Sequence, residues 1–91
     1  MAHDFTLAEL ATILTTTKSE IKPETRYRHS KTGGEYVIVD VVINESTEKP
    51  LIIYRAEYGD ELTWARELDA FTDMVELNGK TVPRFVKIEE N

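Results

Sequence analysis

Cysteine is absent from all 91 residues, which excludes disulfides and makes a cysteine-ligated zinc site untenable. Long apolar runs are missing as well. None approaches the roughly 20 residues that cross a bilayer, and Met1-Ala2-His3-Asp4 has neither the basic region nor the apolar run of a secretory signal. A soluble, cytoplasmic chain with no membrane partner is the expectation. Basic residues are outnumbered, 11 against 17 acidic, for a formal net charge of −6. Nucleic acid and anionic lipid are therefore disfavoured as partners, although a local basic patch still suffices to grip a phosphate. No internal repeat or low-complexity tract interrupts the chain.

What is present suits one small domain. With 41% apolar content, folding a chain of this size buries roughly 60 to 65% of the surface that the unfolded form exposes. Packing alone must hold it together.

Thr6 followed by Glu9 has the spacing of a capping box, with Phe5 and Leu10 placed as a hydrophobic staple. Leu7, Leu10, Ala11 and Leu14 then form one apolar stripe at helical spacing, and the threonine run 15–17 predicts an end between Thr15 and Ser19. So short a helix must dock its stripe, either on the rest of the domain or on a second copy in a homodimer. Residues 18–25 read as a linker broken by Pro23, with Ile21 as an anchor. The chain thus divides into a helix and linker over 1–25 and a β-domain over 26–91.

Residues 35–44 carry the strongest strand pattern, with Val37, Val39, Val41 and Ile43 on the face assigned to the core and Tyr36, Ile38, Asp40 and Val42 on the other. A second strand over 51–57 pairs with it as an antiparallel hairpin. Tyr58-Gly59-Asp60-Glu61 is a turn, and residues 62–68 return as a third strand. A centred turn sets Arg55 opposite Trp64 and Ile53 opposite Arg66. One helical turn over 68–72 follows, and Asn78-Gly79 joins a strand at 74–77 to another over 80–88, which Pro83 confines to an edge or bends. The fold class is mainly β: an SH3-like barrel, closed or nearly so, of about five short antiparallel strands after one N-terminal α-helix, with an OB-type barrel as the alternative.

Tyr27-Arg28-His29 with Lys31, Gly34 and Tyr36, then Tyr54-Arg55-Ala56 with Tyr58-Gly59, Trp64 and Arg66, and finally Gly79-Lys80 with Pro83-Arg84-Phe85 resemble the blocks of a small prokaryotic family of unknown function. The resemblance spans Tyr27 to Ile88 and implies an SH3-type barrel. It implies no activity. Ala65 stands where that family has a larger apolar residue, and Glu67 where it has proline.

Two residue sets carry the functional expectations. In the centred register Arg55, Trp64 and Arg66 share one face with Tyr54 and Tyr58 nearby, a surface on which aromatic rings supply flat contact and arginines grip a carboxylate or phosphate. That set points to a non-enzymatic binding or adaptor module for a peptide, a protein or a small anionic ligand. The bland alternative makes Trp64 core and pairs Arg55 and Arg66 with Glu57, Glu61 or Glu67. Arg28, His29 and Arg84 form a second, anion-binding set, the basis of an alternative reading as a small enzyme or enzyme subunit acting on a nucleotide or phosphorylated compound. No catalytic residue, metal ligand or cofactor is assigned: His29 lacks a partner, and Gly33-Gly34 lacks the lysine-serine step and helix of a phosphate loop. Tyr36 and Tyr54 read as buried rings, and Phe85 as core.

Overall fold

The computed structural model describes residues 4–89. Helix α1 (Leu7–Glu20) begins as a capping box: the Glu9 N–H donates to Thr6 Oγ1 (3.1 Å) and the Thr6 N–H to Glu9 Oε1 (2.9 Å). It runs past the threonines on which it was expected to end. Thr17 is buried and its hydroxyl donates to the Ile13 carbonyl at 2.9 Å, while Lys18 reaches Asp40 at 3.1 Å, so packing on the sheet outweighs weak helical propensity. Leu14 packs against the core and Ile21 lies within it, whereas Leu7 stays 81% exposed. Ala11 is exposed as well, so Leu14 is the stripe residue that docks on the core.

Strands β1 (Arg26–His29), β2 (Glu35–Ile43), β3 (Pro50–Ala56), β4 (Thr63–Glu67), β5 (Met74–Leu77), β6 (Lys80–Pro83) and β7 (Phe85–Lys87) follow, with a short helix α2 (Leu68–Phe71) between β4 and β5. All pairings are antiparallel, in a five-stranded sheet of order β4-β3-β2-β1-β7 and a β5-β6 hairpin. The chain is therefore mainly β with an N-terminal helix, with seven strands among the described residues rather than about five. The larger sheet ends in β4 and β7, so no closed barrel forms among the described residues.

The expected last strand is two. Pro83 ends β6 opposite Met74, and the chain bends at Arg84, whose N–H donates to the Asp73 carbonyl, before β7 pairs with β1. Asn78 (φ 53°) and Gly79 (φ 80°) make the β5–β6 turn, both in the left-handed region that a tight hairpin requires.

The core face of β2 differs from the valine face read from the sequence. Register with β3 shifts between Ile38, opposite Tyr54, and Asp40, opposite Ile53, which leaves Val39 as the extra residue of a bulge. Before the bulge Tyr36 and Ile38 point inward; after it Val41 does. Val39 is 43% exposed and Ile38 1%. The core under this sheet is aromatic: Phe71 of α2 stacks on Phe85 of β7 with centroids 4.3 Å apart, and Tyr27, Tyr36 and Tyr54 meet the pair edge-on.

Candidate functional site

The β3–β4 connection is not centred between Gly59 and Asp60. Gly59 (φ 58°) and Glu61 (φ 52°) both turn left-handed, and the resulting register sets Tyr54 opposite Trp64, Ile52 opposite Arg66 and Arg55 opposite Thr63. A one-residue slip moves a side chain to the other face. Arg55 therefore leaves the set: it is exposed on the outer face, between Val37 and Thr63, and cannot stack on Trp64. Trp64 and Arg66 stay with Tyr54 on the inner face, at its open end.

Alternation along β1 divides the second set in the same way. Arg28 projects outward and pairs with Glu35 (3.0 Å), beside Arg26, which holds Glu35 and Glu57. His29 projects inward, its ring edge-on to Phe85 at 5.1 Å. Arg84 lies near it but is clamped by Asp73, with Nε and Nη2 on the two carboxylate oxygens at 2.6 and 2.9 Å.

Residues from both sets thus meet in one shallow cavity of about 240 Å³, lined by His29, Thr32, Tyr36, Tyr54, Trp64, Arg66 and Phe85. Trp64 is 49% exposed, so it is a wall of this cavity and not core. Arg66 is fixed by a bond from its Nε to the Ala70 carbonyl at 2.9 Å, at the end of α2. Its partners are this carbonyl and the Tyr54 hydroxyl, not the acidic side chains considered from the sequence. Burial raises the Tyr54 hydroxyl above the usual phenol range, and the adjacent Arg66 opposes that shift.

Behind the cavity Tyr36 and Tyr58 share a hydrogen bond between hydroxyls at 2.5 Å, and burial with this bond pushes Tyr36 up to about 12. Tyr58 is thereby part of the support and borders a neighbouring hollow of about 100 Å³ with Leu62 and Trp64. Gly34 permits this approach. A Cβ there would lie 2.8 Å from a Tyr58 ring carbon. Reading along the chain missed Thr32 and Tyr36 as wall residues; the Gly33-Gly34 turn was the available sign that the segment after His29 folds back toward it.

His29 is the most constrained polar group of the cavity. Its Nδ1 accepts hydrogen bonds from the N–H groups of Lys31 (3.2 Å) and Thr32 (3.3 Å), in a turn closed by the Gly33 N–H on the His29 carbonyl. Partial burial lowers its pKa first; Arg84, Arg66 and Lys31 add to the shift, and Asp73 opposes it. Because the folded value lies below the unfolded 6.5, acid protonates the unfolded chain first. The associated stability is complete above 6.5 and is lost as pH falls through the folded value. We expect melting temperature to decline in that window, and to decline less in His29→Gln. Asp73, held below the usual carboxylate range by Arg84, contributes only in more acid solution, so an unchanged profile in the variant would refute the assignment.

No group of three or more side chains suited to a metal ion occurs among the described residues, and no helix among them is long and apolar enough to cross a membrane. No curated protein matches the chain. A crystal structure of a DUF1653 protein from Bordetella bronchiseptica superimposes with a TM-score of 0.66 at 22% identity, covering 77% of this chain and 90% of that one. At that identity the likeness concerns the fold alone. The family model described as "Protein of unknown function (DUF1653)" matches residues 25–87, which include every wall of the cavity, and the chain belongs to that family.

Proposed function

We propose that this protein is a small non-enzymatic binding module that takes an anionic group, free or presented by a peptide, in the cavity between His29, Trp64 and Arg66. The observation that carries the reading is the placement of a half-exposed indole and a fixed guanidinium on one face, over a floor of Tyr36, Tyr54 and Phe85. Exposed aromatic rings are costly to leave wetted, and arginine beside one binds planar anions well. A sheet of SH3-like type would present such a groove at its open end, as peptide-binding domains do.

The reading as a phosphate-handling enzyme has less support. Two of its three residues are engaged elsewhere, Arg28 by Glu35 and Arg84 by Asp73.

Trp64 is the single tryptophan and lines both this cavity and the hollow beside it, so indole fluorescence reports on this end of the sheet and the Arg66 variants assign the response to the cavity. Titrating a panel of small carboxylates and phosphates should shift that emission, and Arg66→Gln should weaken the response at least about tenfold, the usual loss of a hydrogen bond to a charged group. Arg66→Lys, which keeps the charge without the fork, should fall between. Arg55→Gln, on the outer face, should leave affinity unchanged. A silent indole throughout, or equal losses in the Arg55 and Arg66 variants, would overturn the proposal.

A further inference from the structure

We infer that the anion this cavity selects is a carboxylate borne on a flat apolar group, and that the turn after His29 sets this choice by holding the imidazole as a neutral donor. The inference rests on the binding role proposed above. Two backbone N–H groups point at Nδ1, so the neutral ring carries its proton on Nε2. Nε2 makes no hydrogen bond to a described residue. A proton on Nδ1 would face the Lys31 and Thr32 donors head-on and forfeit both bonds.

The other polar groups also donate. Arg66 has its Nε on the Ala70 carbonyl and a side-chain hydrogen bond to the Tyr54 hydroxyl, and its remaining N–H groups are the ones open to a ligand. Trp64 offers an indole N–H, while the Tyr36 hydroxyl is paired with Tyr58. The Thr32 and Tyr54 hydroxyls serve either way, so the balance of these walls favours a ligand group that accepts hydrogen bonds.

Charge then separates the classes of acceptor. The charged groups facing His29 are Arg84, Arg66, Lys31 and Asp73. Arg84 and Asp73 neutralise each other in a two-point pair. Lys31 is exposed at the turn, where solvent and salt screen it. Arg66 is left as one fixed cation in the wall, matched to a single negative charge. A phosphate monoester carries about −1.5 to −2 near neutrality and three acceptor oxygens, which would need a second fixed cation. The tyrosine and phenylalanine rings below, with Trp64 beside, suit a planar apolar body.

Phenylacetate, phenyl phosphate and phenylacetamide have the same ring and differ at the recognised group. With the full chain at neutral pH, phenylacetate should shift the Trp64 indole resonances and bind at least about tenfold more tightly than either of the others, the range of one charge-assisted hydrogen bond. The nitrogen spectrum of the neutral imidazole should report the Nε2–H tautomer. His29→Gln, which keeps a donor, should preserve the preference, whereas His29→Phe should reduce phenylacetate affinity about tenfold. Phenyl phosphate binding as tightly as phenylacetate, or an Nδ1–H tautomer, would overturn this inference and leave the binding role standing. No shift with any of the three would overturn it, and a silent indole with every other anion of the panel would overturn the binding role as well.

Discussion

Ile38→Ala will remove about 2–5 kcal/mol of stability, whereas Val39→Ala, one residue further along β2, will cost about 0.5 kcal/mol or less. The contrast follows from the face that β2 turns inward ahead of the bulge. Ile38 is among the largest fully enclosed side chains, packed with Val41 and Ile52, so truncation leaves a void that the surrounding sheet fills only in part. Val39 is the residue that β3 does not pair, and it is partly exposed on the outer face. A domain of this size is held by about 5–15 kcal/mol in total, so the Ile38 variant should be partly unfolded in mild urea while the Val39 variant follows the wild type. Urea midpoints with unchanged slopes would check it. A larger loss at Val39 than at Ile38 would mean that the valine face, and not Ile38, packs the core.

The two readings of β2 differ for a reason that alternation along a single strand cannot reveal. A run with apolar residues at nearly every position, Tyr36 to Ile43 with one aspartate, suits either face, and the side chosen depends on a bulge fixed by pairing with β3. The register of the next hairpin differs in the same way: left-handed Gly59 and Glu61 move the pairing by one residue and take Arg55 to the face opposite Trp64 and Arg66. Signals carried within a few residues were readable. The capping box at Thr6, the single turn of α2 and the Asn78-Gly79 hairpin all stand where local chemistry places them. Strand β1 had no such signal, since its arginines are tolerated in a sheet only through Glu35 and Glu57 on neighbouring segments. For that reason His29 and Trp64, 35 positions apart, were assigned to separate sites, although one cavity holds both.

Phe71→Ala will have the largest effect of any single substitution considered, about 3–5 kcal/mol, because its ring joins three elements. It is 2% exposed, stacks on Phe85 at 4.3 Å, and meets Tyr27 at 5.3 Å and Tyr54 at 5.6 Å edge-on. Four residues of α2 cannot hold a helix by propensity, so this ring is what fastens the segment to the sheet. That segment also positions the cavity, since the Ala70 carbonyl beside Phe71 receives the Arg66 Nε. Phe85 presents its edge to His29 in turn. Removing Phe71, which lines no part of the cavity, should lower the melting temperature by roughly 4–8 °C for each kcal/mol lost. It should also broaden the Arg66 and His29 resonances before global unfolding. Phe71→Leu, which refills most of the volume, should recover much of both. A loss below about 1 kcal/mol for the alanine variant, or broad site resonances that the leucine variant does not sharpen, would show that α2 is held by something other than this stack.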